Sequence, residues 1–363
     1  MSLFKSLFTK KKGPFSTYSD FWAWFKENEK FFHKVVKSKG DIEAQFLNKL
    51  SPKLQEIRKD IFFLTGMLDE NTVELILTAD GVIQNIVFVE ELVKAAPSIP
   101  GWKFTALKPP SKDSFGLKMA GYEFNCDNLS FYVNDDSSYP DEINLIVVYH
   151  NYNEDDKASI GNGIYLFLDN YLGELEFATT IDNLTITGKN EATKELIPIN
   201  KLKPYLVWRE KEFVEKYDAI QHTIDNDRYS ILEGTLKDGK PLIAVMNTDL
   251  LNWNAKASHP WIADIEIRYT SENQNGMPDK ATSALLEKIE DKLMEDLKDY
   301  EGFLNIGRET ADNTRNIYLA CKDFRKPAKI IDDLQKAYQH ELQITYNIFK
   351  DKYWQSFNRF MNQ

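Results

Sequence analysis

The sequence predicts an α+β protein, and three observations carry that reading. Residues 228–350 run hairpin, strand, helix, strand, strand, helix, strand, each piece bounded by its own turn residues. A chain of 363 residues is too long for one ordinary domain and implies two or three packed units. Its 42% hydrophobic and 13% aromatic content is enough to build cores and argues against disorder. The division that follows is a flexible leader at 1–18, an N-terminal α+β domain with a helical hairpin at 19–187, a connector at 188–226 and a C-terminal α+β domain at 227–363.

In the leader, Leu3, Phe4, Leu7 and Phe8 stand beside Lys5, Lys10, Lys11 and Lys12. It lacks the apolar length and cleavage site of a signal peptide. It reads as a plain leader in preference to a weak amphipathic anchor. Ser19 is placed to cap a helix that carries Phe21, Phe25, Phe32 and Val35 on one stripe, broadened by Trp22, Trp24 and Phe31. A second helix starts at Asp41, carries Ile42, Phe46 and Leu50, and is expected to break at Ser51-Pro52. The aromatic face is expected to pack on the sheet that follows. That sheet begins with strands at 60–66 and 72–78, a turn at Asp80-Gly81, a helix through Val89, Leu92 and Val93 as far as Pro97, and a strand at 102–107.

Segments 121–124 and 129–133 read as a hairpin around Asp127-Asn128, and 143–149 as a buried strand far too short to span a bilayer. Ile160, Ile164, Phe167, Leu168 and Tyr171 recur at helical spacing. Gly173 offers the cap, and 174–180 is expected to return as a strand. The connector, which contains Pro198 and Pro204, is expected to hold one or two helical turns.

The last domain opens with a hairpin, 229–236 and 241–246, turned by Lys237-Asp238-Gly239-Lys240. In the strand 262–270, Ala263, Ile265, Ile267 and Tyr269 alternate with Asp264, Glu266, Arg268 and Thr270, so one sheet face is expected to be wet. Residues 275–279 start a helix striped by Leu286, Ile289, Leu293 and Leu297, which Gly302 ends. Segments 303–308 and 315–322 pair, and Pro327 opens a helix with Ile330, Ile331, Leu334 and Tyr338 inside. The final strand alternates Leu342, Ile344, Tyr346 and Ile348 with Gln343, Thr345 and Asn347. Two helices on one face of an antiparallel sheet make a ferredoxin-like sandwich with a leading β-hairpin. The joint at 168–177 echoes the one at 334–344, which reads either as a duplicated α+β module or as chance.

Function is less legible. With 45 basic and 56 acidic residues, net charge −11 and pI near 5.1, the chain repels a phosphate backbone. No nucleic-acid partner is therefore expected, and a protein partner, a basic one, fits better. Cys126 and Cys321 read as reduced core thiols of a cytoplasmic protein. His33, His150, His222, His259 and His340 show no metal spacing. Gly161-Asn162-Gly163 lacks the lysine and later glycine of a phosphate cradle, and no serine sits in a nucleophile elbow.

With no metal, cofactor or catalytic set to point to, the sequence argues for a non-enzymatic protein-binding or regulatory module. The alternative is an enzyme or small-ligand sensor with a pocket around His259, Trp261, Asp279, Arg308 and Arg315. Two arginines in a tight strand turn suit a carboxylate or phosphate, but pairing with Glu309 and Asp312 is the favoured reading. Tyr318 and Arg325 complete the candidate ligand or partner surface. Phe303 with Tyr318 would be the stacking pair of an RNA-binding sheet, a reading the acidity opposes.

The run 228–357 includes Tyr229-Ser230-Ile231-Leu232-Glu233-Gly234, His259-Pro260-Trp261, Asn275-Gly276-Met277-Pro278-Asp279, Asn305-Ile306-Gly307-Arg308 and Tyr353-Trp354. It resembles a bacterial family known as domain of unknown function 695. The resemblance covers about a third of the chain and implies a bacterial cytoplasmic protein, with no activity, cofactor or catalytic residue attached. A weaker likeness of architecture to acidic regulators that inhibit ribonuclease E implies a protein partner.

Overall fold

The first helix is capped by Thr17, ahead of the expected cap at Ser19. In the computed structural model, which describes residues 17–361, Thr17 Oγ1 accepts the Asp20 N–H while the Asp20 carboxylate accepts the Thr17 N–H. This reciprocal capping box satisfies two donors where Ser19 would satisfy one. The basic and apolar residues of the leader lie outside the described residues. Two compact units follow, one ending at Pro109 and one beginning at Pro110.

In the first unit, helix α1 (Tyr18–Lys37) buries Phe21, Trp22, Phe25, Phe32, Val35 and Val36. Helix α2 (Asn48–Ile57) runs through Pro52 without the expected break. The irregularity falls earlier, in a π turn at Glu43–Leu47 where the Asn48 N–H reaches back to Glu43, and it relieves the ladder before the proline. Strands β1 (Phe62–Met67) and β2 (Val73–Thr78) pair antiparallel. Helix α3 (Ile83–Lys94) then crosses to β3 (Trp102–Ala106), parallel to β2. The aromatic stripe packs here, as expected. Trp22 lies 4.5 Å from Phe104 and Phe25 lies 4.9 Å from Trp102, while the Trp22 indole donates to the Leu92 carbonyl at 2.7 Å.

The second unit begins with a hairpin, β4 (Gly116–Met119) and β5 (Tyr122–Asn125). Its turn residues Ala120 and Gly121 have φ of 51° and 84°, the left-handed pair a two-residue hairpin loop needs. Segment 121–124 therefore pairs backward, not forward with 129–133. Asp127-Asn128 is occupied otherwise, both N–H groups being held by Asn125 Oδ1. Next come β6 (Leu129–Asn134), β7 (Asn144–Tyr149), α4 (Lys157–Leu172), α5 (Glu174–Thr180), β8 (Asn183–Gly188), β9 (Ile197–Pro198) and α6 (Leu202–Tyr217), with strand order β8-β7-β6-β9.

Residues 174–180 are helical, a correction to the expected strand. Gly173 (φ 88°) turns the chain, Glu174 and Glu176 favour the helix N-terminus, and Phe177 N–H returns to Gly173. The echo between 168–177 and 334–344 ends there, because only the later segment continues as a strand. The connector region holds a 16-residue helix, α6, because Pro204 falls in its first turn, where a missing N–H costs nothing. Ile199, Leu202 and Leu206 fill the same core as Phe124, Phe131, Val147, Ile164 and Phe167.

Gly161 and Gly163 lie inside α4, not in a phosphate loop. A Cβ on Gly163 would stand 2.2 Å from the Phe124 ring, whereas one on Gly161 meets nothing within 4 Å. Gly163→Ala is expected to lose about 1–3 kcal/mol by overpacking. Gly161→Ala should gain up to about 1 kcal/mol from helix propensity. Thermal unfolding of the pair checks both signs, and equal shifts would refute the close approach.

The remaining chain forms β10 (Tyr229–Thr235), β11 (Pro241–Asn247), α7 (Thr248–Leu251), β12 (Trp261–Arg268), α8 (Lys280–Asp296), β13 (Phe303–Ala311), β14 (Thr314–Cys321), α9 (Arg325–Tyr338) and β15 (Gln343–Lys350). Its six strands pair antiparallel in the order β10-β11-β13-β14-β12-β15. Helices α8 and α9 bury Leu286, Ile289, Leu293, Ala328 and Ile331, and Tyr346 Oη on β15 donates to the Ala328 carbonyl. The strand-pair turn is only Asp312-Asn313, both left-handed (φ 43° and 61°), so Arg308 and Arg315 lie within paired strands, not in a turn.

The opposite face is wet over only part of its area. Leu250, Leu251, Trp354 and Phe357 cover Ala244, Met246, Ile262, Leu304, Ile306, Tyr318 and Ala320. After β15 the chain reverses at Trp354 (φ 55°) and lays a 3₁₀ segment, Gln355–Phe360, against the sheet. Asp264, Glu266 and Arg268 stay beyond that cover.

Candidate functional site

The seven residues singled out from the sequence go to separate places. His259 is fully buried, its Nδ1 2.8 Å from Ser258 Oγ. Ser258 Oγ donates its proton to the Ala255 carbonyl, so the imidazole must donate from Nδ1 and keep Nε2 bare. Burial, with the nearby charge of Lys322, pulls its pKa down to about 3, which holds it neutral. Asp279 caps α8 by accepting the Thr282 N–H at 2.8 Å. Arg308 donates to Glu290 at 2.6 Å. Arg315 is buried beside Thr310, to which its Nε donates. Tyr318 is also buried, under Phe357 and on the sheet face opposite Phe303, so the two offer no shared stacking platform. The expected five-residue pocket does not form. Of the seven, Trp261 and Arg325 line one cleft together.

That surface is a cleft of 670 Å³ in the second unit. Its walls are the loop Pro140–Ile143, the ends of α5 and α6, the start of β12, the start of α9 and the end of β15. Trp261 meets Phe324 edge to face at 4.9 Å, and Arg325 lies over the Phe324 ring with a bond to Asp323 at 3.1 Å. Six cationic side chains line the cleft, Arg209, Lys216, Lys322, Arg325, Lys350 and Lys352, against four carboxylates on its walls, Asp141, Glu210, Glu212 and Asp323, and a fifth, Asp182, beneath them. In a chain of net charge −11 this is a local reversal of sign.

The base of the cleft carries the chemistry. Asp182, its side chain 8% exposed, divides its two oxygens between Lys350 and Lys352, each at 2.8 Å, and also accepts the Ile143 N–H. Lys350 donates besides to the Thr180 carbonyl at 3.0 Å, and Lys352 to the Asp141 carbonyl at 2.6 Å. Each ammonium has three donors, so these contacts leave one on Lys350, while Lys352 also lies over the Phe213 ring at 4.9 Å. Two lysines share this one carboxylate directly, with Glu142 close enough to feel the charge of Lys352. Burial and the neighbouring Lys352 lower the Lys350 pKa to about 8 although Asp182 opposes the shift.

Beside this cluster, Asp141 accepts from Tyr353 at 2.5 Å, Tyr217 at 2.7 Å and Lys216 at 2.9 Å. Burial raises its pKa, but these hydrogen bonds outweigh burial and hold it below the usual carboxylate range. Glu176, with one carboxyl oxygen buried and unpaired, is raised by burial. Among the described residues no group of three potential ligands is arranged to hold a metal ion.

Asp141, Asp182, Lys216, Lys350 and Lys352 escaped the sequence reading. One signal was present. The buried alternation Leu342, Ile344, Tyr346 and Ile348 continues in phase to Lys350 and Lys352, and lysines on a buried stripe need a partner. Nothing local identifies Asp182 as that partner.

Among the described residues no helix is long and apolar enough to cross a membrane. No curated protein and no solved structure matches the chain, and the part before residue 234 matches no family. The match that exists takes in Trp261, Arg325, Lys350 and Lys352 and leaves Asp141, Asp182 and Lys216 outside it. Residues 234–362, the C-terminal third, match a family of unknown function, DUF695.

Proposed function

We propose that this chain is a cytoplasmic regulatory module that works by binding, and that its cleft takes an anionic ligand bearing a carboxylate or phosphate group. The observation that carries the reading is the 2:1 arrangement of Lys350 and Lys352 on Asp182 at the base of a 670 Å³ cleft. An anion would pair with the cationic lining and use the spare donor of Lys350. Trp261 and Phe324 supply the apolar wall that ligand pockets of this size use for orientation. The two free cysteines, Cys126 and Cys321, support a reducing compartment. The C-terminal sheet order β13-β14-β12-β15, with a helix after the first and third of its strands in sequence, supports the ferredoxin-like description of this module.

Binding should depend on pH with a definite sign. In the free protein Lys350 has a lowered pKa, so between about pH 8 and its ordinary value of 10.5 the unfolded chain binds more protons, and stability rises with pH across that window. A bound anion favours the protonated amine, so affinity is full below pH 8 and falls above it. The test is a melting-shift and calorimetric panel of phosphate, pyrophosphate, succinate and citrate at pH 7 and pH 9.5. We expect at least one to bind, weaken severalfold at pH 9.5, and weaken at least tenfold at pH 7 in Arg325→Ala. Indifference of every anion to Arg325→Ala and Lys350→Met would refute the site.

A further inference from the structure

A second concave site lies on the helix-covered face of the C-terminal sheet, in a groove of 300 Å³ between α8 and the β11–β13 pair. Its floor includes Asn305, 8% exposed, whose Nδ2 donates to Glu290 and whose Oδ1 is buried with no donor. Exchanging the amide atoms would set the carbonyl against the Glu290 carboxylate, so the orphan is an acceptor. Glu290 itself is taken up by Arg308 at 2.6 Å. Glu287 and Asp291, one turn apart on α8, line the rim, and neither has a hydrogen bond or ion pair among the described residues. Tyr229, 43% exposed, forms the opposite wall. Arg315, buried behind this face with Nη1 unpartnered, offsets part of the charge, and three carboxylates against two arginines leave the locality negative.

These features ask for one kind of group. An orphan carbonyl needs an N–H donor, two rim carboxylates without a hydrogen-bonded partner favour a cation, and an exposed tyrosine ring holds a cation on its face. The strand pairing extends the surface. Val245 pairs with Ile231 on one side and Arg308 on the other, so these three side chains share a sheet face. Ile231 is 69% exposed on edge strand β10, which leaves an apolar shoulder beside the groove. Gly307 (φ 145°) keeps the floor close-packed, since a Cβ there would stand 2.3 Å from the Val245 carbonyl.

We infer that this groove receives a lysine or arginine side chain from a basic segment of a partner protein, with Tyr229 and Ile231 as the apolar shoulder on which that segment rests. Charge complementarity selects the occupant. The ammonium or guanidinium sits between Glu287 and Asp291 on the Asn305 side of the groove, while its methylene stem lies along Val245 and Met294.

The test is calorimetric titration of the full chain with capped tetralysine and tetra-arginine peptides, tetraglutamate and spermidine, at low and moderate salt. A basic peptide should bind, weaken as salt rises, and lose at least tenfold in affinity in Glu287→Lys/Asp291→Lys. Both positions are exposed on α8, which keeps the variant foldable, and circular dichroism confirms that it is. A charge-matched control, Glu70→Lys/Glu195→Lys, should lose less than threefold, and Tyr229→Ala should lose about fivefold. Equal losses in the matched control would reduce the effect to net charge and overturn the site. Spermidine binding as tightly as the peptides would overturn the protein partner. Arg325→Ala should leave peptide affinity unchanged, which separates this result from the fate of the anion cleft.

Discussion

Asp182→Ala is expected to destabilise the folded protein by about 3–5 kcal/mol, the range for removing one partner of a buried ion pair. The carboxylate is the shared counter-charge of Lys350 and Lys352, and its loss leaves two ammoniums side by side in a poorly solvated cleft. It also strips the Ile143 N–H of its acceptor. The energy comes from stranding charges, more than from any net value of the pair, so removing a charge as well should recover most of it. Asp182→Ala with Lys350→Met is expected to regain at least half of the loss. Denaturant unfolding at pH 7 measures both. A single-variant loss under about 1 kcal/mol would mean that water already reaches the cluster.

Trp354→Ala should cost about as much, 3–5 kcal/mol, for a different reason. Trp354 is 1% exposed, and its indole donates to the His259 carbonyl at 3.0 Å. With Phe357 it covers part of the sheet face opposite the helices. Truncation leaves a large cavity, an orphan carbonyl and an unanchored 3₁₀ segment. Trp208→Ala, at a half-exposed position on α6, should change stability by less than about 0.5 kcal/mol. If the two replacements behaved alike in calorimetry, the C-terminal segment would not be part of the core.

The readable parts of the fold were those in which spacing alone reports burial. The stripe Leu286, Ile289, Leu293 and the alternation Ala263, Ile265, Ile267 identified α8 and β12, because a buried face repeats at the period of its own backbone. Turn residues served as well where the turn was local, as at Gly239 (φ 89°) between β10 and β11. Reading failed where two local solutions compete. Residues 174–180 have an alternation that suits a strand, yet the acidic first turn after Gly173 and the core beneath select a helix. The segment 120–129 offers two turns, and the left-handed pair at Ala120-Gly121 wins the pairing.

The candidate site was less legible still, because its members answer to each other across the chain. Arg308 and Arg315 are near neighbours in sequence, but the register of β13 and β14 sends one to Glu290 and buries the other. His259 looked like a pocket residue, and the chain after β15 folds back to seal it in.

The order of helices and strands in the C-terminal module, its α+β class and its buried faces follow from the sequence, since each depends on periodicity within ten or twenty residues. The cleft does not. Lys352 meets Asp182 across 170 positions and the Asp141 carbonyl across 211, and the energy of a buried charge depends on which opposite charge the packing brings within 3 Å. Lysines on a buried stripe announce that some partner exists, and only the folded chain determines that it is Asp182.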